Sequence, residues 1–99
     1  MVEMIYEEMP CPDGVPEHLW GGVKRYILHG VRPGSWLRAF FEGDLYEVMA
    51  RGDDEVIAGL KALTTVVVSR GPAGCRGSRE RVDEWIVRGG LRGIEEEVA

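Results

Sequence analysis

The side chains best suited to chemistry are arginines around Ser78. The glycine-rich segment 71–77 precedes a predicted helix, and Arg76, Arg79 and Arg81 flank the start of that helix. Free amides at a helix N-terminus attract anions, and arginine forms charge-assisted hydrogen bonds with phosphate oxygens. We therefore expect Arg76, Ser78, Arg79 and Arg81 to bind a nucleotide or another anionic ligand. The alternative is a capped helix with solvated arginines. The segment lacks the Gly-Lys-Ser/Thr ending of a phosphate loop, which argues against nucleotide hydrolysis.

A hydrolytic site would need a base that reaches a nucleophile, and the chain has two histidines to serve as that base. His18 and His29 fall in the first and last turns of a predicted helix, outside any nucleophile motif, where capping explains both. The sequence therefore predicts a protein that is not an enzyme, with no catalytic residue and no cofactor. Cys11 and Cys75 are interpreted as free thiols, because neither they nor the histidines have the close spacing of zinc ligands. No metal is expected.

Two other groups of side chains are candidates for contact with a partner protein. Trp36 directly follows the predicted helix cap Ser35, at the edge of the core, where its ring would project toward a partner. A chain of 99 residues with three tryptophans is expected to form a homo-oligomer. An acidic N-terminal stretch, residues 1–17, has no Lys or Arg and carries the candidate contact residues Glu3, Glu7, Glu8 and Asp13. This stretch supports an alternative function, an acidic inhibitor that blocks the basic groove of a nucleic-acid enzyme.

Composition limits the remaining classes of function. The net charge of −5 argues against direct binding to nucleic acid, which requires clustered basic residues. The longest apolar stretch, residues 60–68, is far shorter than the roughly 20 residues that cross a bilayer, and no export signal opens the sequence. We expect no membrane association and a cytoplasmic location. A chain of 99 residues suffices for one core.

Helical spacing of apolar residues predicts the elements that position these side chains. Helix one is predicted from Pro16 to about His29, with Gly30 as its C-terminal stop. Helix two is predicted to begin at the cap Ser35 and to end at Gly52. Its apolar stripe consists of Leu37, Phe40, Phe41, Leu45 and Val48.

Helix three is predicted to start at Asp53 or Asp54 and to continue through Val67, although the β-branched run 63–68 would also suit a strand. Helix four is predicted from the cap Ser78 to the stop at Gly89-Gly90. The sequence thus predicts an all-α fold, a single compact domain of about four helices over residues 16–90. An extended arm is predicted over residues 1–15 and a frayed acidic tail over residues 91–99.

Several short motifs resemble a group of small uncharacterised proteins of tailed bacteriophages and prophages. They are Pro33-Gly34-Ser35-Trp36-Leu37, Gly43-Asp44-Leu45, Arg51-Gly52-Asp53, Pro72, Cys75-Arg76-Gly77-Ser78 and Val82-Asp83-Glu84-Trp85. The resemblance covers roughly residues 16–90. This chain has Trp36 where the group has Phe, Gly43 for Asn, Gly52 for Ala and Arg76 for Trp.

The resemblance implies a phage-type accessory protein that counters host defences in the host cytoplasm. Together with the arginines, it favours a non-enzymatic homo-oligomer that sequesters a nucleotide signal or another anionic ligand. The alternative remains an acidic protein-binding inhibitor of a host nucleic-acid enzyme or defence complex.

Overall fold

The structure is a computed structural model that describes residues 8–98, with side chains described for residues 8–94. Seven α-helices and one short 3-10 helix lie within these residues, and none of them forms a β-strand. The α-helices are α1 (Glu17–His29), α2 (Ser35–Glu42), α3 (Leu45–Arg51), α4 (Asp54–Ala58), α5 (Leu60–Arg70), α6 (Arg79–Arg88) and α7 (Gly90–Val98), and the 3-10 helix is Ala73–Cys75. The predicted all-α class is confirmed, whereas the predicted number of about four helices is wrong.

The core is built around α1. Val23, Tyr26 and Ile27 are fully buried on this helix, at the spacing that places them on one face. The other helices bring further buried side chains to that face, among them Leu37, Phe41, Leu63, Val67, Cys75, Val82 and Trp85. The Cα radius of gyration is 12.8 Å, close to the roughly 13 Å of a compact domain of 100 residues.

The predicted helix two is interrupted at Gly43 and Asp44. Gly43 adopts a left-handed conformation with φ of 79°, and its N–H donates to the Phe40 carbonyl at the end of α2. The Asp44 carboxylate then accepts the Glu47 N–H at 3.1 Å and caps α3. Since the chain changes direction here, Leu45 is exposed and does not continue the apolar stripe of α2.

The predicted helix three is divided at Gly59. A Cβ atom on this glycine would lie 2.5 Å from the Pro16 Cδ atom and 2.8 Å from the Gly14 carbonyl oxygen. The loop before α1 therefore packs directly on the junction between α4 and α5. The β-branched run 63–68 lies within α5, so the helical interpretation is confirmed, and its residues Leu63 and Val67 are buried one turn apart.

The helix α7 was not predicted. Gly89 and Gly90 both have positive φ, 81° and 70°, and the chain reverses there to place α7 against α1. The contact is close, because a Cβ atom on Gly30 would lie 2.8 Å from the Gly90 nitrogen. Leu91 and Ile94 pack on the core. Part of the segment predicted as an acidic tail is thus helical.

Part of the predicted N-terminal arm lies outside the described residues. Within residues 8–15, Met9 and Cys11 pack against the core. The indole N–H of Trp20 donates to the Met9 carbonyl at 3.1 Å, which fixes this segment to α1. Among the helices of the described residues, none has the length and apolar character needed to cross a membrane.

Candidate functional site

The loop between α5 and α6 carries the predicted anion-binding residues, and contacts with α1 and α2 hold it in place. The phenol O–H of Tyr26 donates to the Cys75 carbonyl at 2.6 Å. The N–H of Gly77 donates to the Phe41 carbonyl at 2.9 Å. Gly77 has φ of 118°, a backbone conformation that residues other than glycine rarely adopt. The direction in which the chain enters α6 is therefore set by buried groups.

Ser78 caps α6, as the sequence predicted. Its hydroxyl oxygen accepts the Arg81 N–H at 3.1 Å. The cap satisfies one of the free amides of the first turn, and the others remain near the positive end of the helix dipole. The role of Ser78 in this structure is therefore to begin the helix, and any anion would be held by the arginines together with the remaining amides.

The three predicted arginines lie around this helix start, in three different environments. Arg76 is partly buried, and its Nε atom is enclosed without a hydrogen-bond partner. Arg79 is 75% exposed. Arg81 is also exposed, and its guanidinium lies 3.5 Å from the Arg76 carbonyl. The loop and the first turn of α6 thus carry three arginines, of which Arg79 and Arg81 are exposed.

An acidic residue of α2 borders this arginine group. The Glu42 carboxylate lies 4.0 Å from Arg79 Nε and accepts a hydrogen bond from Arg38 Nε at 2.8 Å. Arg38 also donates to Asp83 on α6, and this hydrogen bond is the main reason that its pKa is raised. The ion pairs join α2 to α6 beside a surface cleft of about 360 Å³. The 4.0 Å contact between Arg79 and Glu42 is longer than the 2.8 Å hydrogen bond between Arg38 and Glu42. Arg79 can therefore leave Glu42 and bind a ligand, while Glu42 stays paired with Arg38.

Trp36, predicted to contact a partner, makes its polar contact within the chain. Its indole N–H donates to the Val48 carbonyl at 2.9 Å, which ties α2 to the end of α3. Its ring stacks on Phe40 with the ring centres 6.0 Å apart. The side chain is partly buried and packs against the core. Its contacts are those of a structural residue whose side chain is not fully buried.

The acidic residues predicted to contact a partner are only partly described. Glu3 and Glu7 lie outside the described residues. Glu8 and Asp13 are exposed. The contact of Gly59 with Gly14 and Pro16 packs the loop before α1 on the end of α4, and His18 at the start of α1 lies 3.7 Å from Glu55. The segment that enters α1 and the helix α4, both with exposed acidic residues, are thereby close in the fold.

An apolar surface on α3 was not predicted from the sequence. Leu45, Tyr46 and Met49 are 63%, 86% and 50% exposed, and Ala50 is exposed beside them. An open cleft of about 180 Å³ adjoins Leu45. The cleft is lined by Phe40, Gly43, Leu45, Val48, Leu60 and Thr64. The signal in the sequence was the pair Gly43-Asp44, a helix stop followed by a cap, which rotates this apolar run away from the core.

The thiols and imidazoles do not come together. Cys75 is buried, whereas Cys11 is partly buried with its thiol 3.2 Å from the Val15 carbonyl. His18 lies 3.7 Å from a Glu55 carboxylate oxygen at the surface. Among the side chains that the structure describes, no three His, Cys, Asp or Glu residues are grouped as they would be around a metal ion.

Comparison of the chain with protein-family models, with curated proteins and with solved structures gave no match.

Proposed function

We propose that the protein is a non-catalytic, homo-oligomeric binding protein for a nucleotide or another phosphorylated ligand, held at the arginine-rich start of α6. The observation that carries the proposal is the position of three arginines, Arg76, Arg79 and Arg81, at the N-terminus of α6, where Arg79 and Arg81 are exposed. Guanidinium groups form charge-assisted hydrogen bonds with phosphate oxygens, and the free amides of a helix N-terminus add to the attraction for an anion.

The charges around α6 favour a small anion over a long polyanion. The positive group is confined to a few residues, while the whole chain has a net charge of −5. A nucleic-acid backbone would meet acidic surface beyond the arginines, because its phosphates continue along the chain. A single phosphate or pyrophosphate group would meet only the arginines and the free amides of α6. A compact phosphorylated ligand is therefore the best match.

Isothermal titration with pyrophosphate, followed by a panel of nucleotides, tests the site. The double variant Arg76→Ala/Arg79→Ala is expected to weaken binding by at least about 10-fold, since charge-assisted hydrogen bonds contribute roughly 1.5–3 kcal/mol each. The matched control is Arg88→Ala, which removes an exposed arginine from the other end of α6. Equal affinity in the double variant and the wild type would exclude this site.

Substitution of the neighbouring carboxylate, Glu42, tests the site through a variant that should bind the anion more tightly. Glu42→Gln removes the negative charge closest to Arg79 and keeps a side chain of the same shape. Arg38 retains its hydrogen bond to Asp83 in this variant. Anion affinity is expected to rise several-fold, because the ligand no longer competes with a carboxylate. A fall in affinity would mean that Glu42 positions the arginines and does not compete with the ligand.

The resemblance to small phage proteins extends the proposal to the biological role, sequestration of a nucleotide signal used in host defence. The direct test is native mass spectrometry of protein freshly purified from a bacterial host. Sequestration predicts a mass excess equal to a nucleotide, which Arg76→Ala/Arg79→Ala should remove. A mass equal to that of the chain alone, in protein that also fails to bind added nucleotides, would contradict it.

An acidic inhibitor of a host nucleic-acid enzyme or defence complex is the second candidate. It is supported by the packing of the loop before α1 on the α4–α5 junction, because this loop and α4 both carry exposed acidic residues, among them Asp13 and Asp54. Deletion of residues 1–13 would also remove Met9 and Cys11 from the core, so charge reversal is the sharper test. Asp13→Lys/Asp54→Lys should abolish capture of a basic host protein, while Glu84→Lys on α6 should leave it unchanged. Retained capture in the double variant would count against this role.

A further inference from the structure

The exposed face of α3 combines three large, exposed side chains with no charged residue. Leu45, Tyr46, Met49 and Ala50 form a charge-free arc, and the charged residues Glu47 and Arg51 lie on the opposite side of the helix, where they pair with each other. Clustered apolar surface of this kind marks an interaction site, whereas isolated exposed apolar residues do not. Within the described residues, nothing covers this arc.

We propose that a second copy of this chain binds the α3 face, so that two α3 helices pack antiparallel across a twofold axis. This assigns an interface to the homo-oligomer in the proposed function. A twofold interface brings one surface against itself, so each side chain of the face must find its partner on the same face of the second copy. Tyr46, 86% exposed, projects furthest from the α3 face, and an open cleft of about 180 Å³ adjoins Leu45 at the edge of that face.

The order of residues along α3 fits the antiparallel arrangement. An axis between Glu47 and Val48 places Leu45 opposite Ala50 of the second copy, and Tyr46 opposite Met49. Each pair combines a larger with a smaller or more flexible side chain, which permits close approach of the two helices. The charged Glu47 and Arg51 face away from the contact, so no charge would be buried.

The available apolar area agrees with what a dimer of this size needs. Leu45, Tyr46 and Met49 are 63%, 86% and 50% exposed. With about 150–250 Å² for a large side chain, these three expose on the order of 300–400 Å². A standard interface uses about 800 Å² per partner, of which roughly 65% is apolar in homodimers. The three side chains provide more than half of that apolar share, and the apolar lining of the cleft adds to it.

Sedimentation velocity of the full chain over a range of concentrations tests the interface. We expect a monomer–dimer equilibrium in the wild type and a monomer in Tyr46→Lys/Met49→Lys, because two lysines on each copy would place charges in the contact. The matched control is Val87→Lys, which places a lysine at an apolar position that is 85% exposed on α6. The control should still dimerise. Circular dichroism should be the same for all the variants, since the substituted side chains are exposed in the monomer.

Disulfide formation between introduced cysteines tests whether the two α3 helices pack antiparallel. Copies carrying Leu45→Cys, mixed with copies carrying Ala50→Cys, should form an intermolecular disulfide faster than either variant alone. A monomeric wild type, or a dimer that persists in Tyr46→Lys/Met49→Lys, would overturn the interface. Neither result bears on pyrophosphate binding, which depends on Arg76 and Arg79 and is measured separately. The interface and the anion site can therefore fail independently.

Discussion

At the scale of single residues, the contact between Tyr26 and Cys75 links the core to the loop that carries the arginines. Both side chains are fully buried. Burial raises the pKa of the Cys75 thiol from 9.0 to about 12, although the nearby Arg76 cation opposes the shift. Burial also raises the pKa of Tyr26 above its ordinary value of 10.0, and a charge on Cys75 would raise it further. Both groups are therefore neutral in the folded protein at neutral pH.

These shifts predict a loss of stability in alkali. A group with a higher pKa in the folded state contributes stability that is complete below its unfolded pKa and declines as the pH rises toward its folded pKa. For Cys75 the decline spans pH 9.0 to about 12. Its slope is about 1.4 kcal/mol per pH unit, and Tyr26 increases the slope at the upper end of this range.

Urea unfolding at a series of pH values measures this slope. The comparison is between the wild type and Cys75→Ala, which should lose the part of the slope that begins near pH 9.0. A smaller slope should remain from Cys11, whose pKa is raised by burial and by Glu17 and Asp13. A wild-type stability that stays constant as the pH passes through this range would show that the Cys75 thiolate is tolerated in the fold.

At the scale of elements, the sequence predicted several helix ends better than helix continuity, although the predicted cap Ser35 is wrong. Gly34 is the N-cap residue of α2, and no side chain caps this helix. The cap Ser78 and the stop Gly30 are where the patterns predicted them, because their effects are local. The breaks at Gly43 and Gly59 were missed, since apolar spacing continues across both of them. At Gly59 the deciding contact is with Gly14 and Pro16, which are distant in the sequence.

The same reasoning explains what was missed at the candidate sites. The arginines at α6 were found because a cap and three basic residues stand close together in the sequence. The apolar α3 face was assigned in part to the core, because Leu45 fits the stripe of an uninterrupted helix two. The enclosed position of Arg76 Nε depends on packing between elements, which no local pattern contains.

The approach of α1 to α7 predicts that Gly30 is essential to the packing of these helices. Gly30 has φ of 66°, and an added Cβ would lie 2.8 Å from the Gly90 nitrogen and from the Trp85 carbonyl oxygen. A side chain in the left-handed conformation costs roughly 1–2 kcal/mol before any clash is counted. We therefore expect Gly30→Ala to destabilise the fold by more than about 2 kcal/mol in urea unfolding.

Gly34 provides the matched control, because its φ is −62° and an added Cβ would meet nothing within 4 Å. Gly34→Ala should change the free energy of unfolding by less than about 1 kcal/mol, since alanine adopts this conformation without strain. Equal stability of Gly30→Ala and Gly34→Ala would show that α7 can move away from α1 at little cost.

At the scale of the whole molecule, charge is distributed so that the proposed ligand and the proposed second copy experience opposite electrostatic forces. The chain carries a net charge of −5, which opposes the approach of a second copy. The start of α6 is locally positive, through Arg76, Arg79 and Arg81, and attracts an anion. The α3 face, without charged residues on its exposed arc, is the part of the surface where two copies meet the least repulsion.

Salt should therefore move the two equilibria in opposite directions. The screening length falls from about 10 Å at 0.1 M to about 3 Å at 1 M, which weakens both the repulsion between copies and the attraction of the arginines for an anion. We expect the dissociation constant of the dimer to decrease as salt is added and that of pyrophosphate to increase. Sedimentation velocity and isothermal titration in the same sodium chloride series measure both quantities. A dimer that dissociates in salt would indicate that charged pairs hold the two copies, which the α3 interface does not contain. Pyrophosphate affinity that is insensitive to salt would indicate a site other than the arginines of α6.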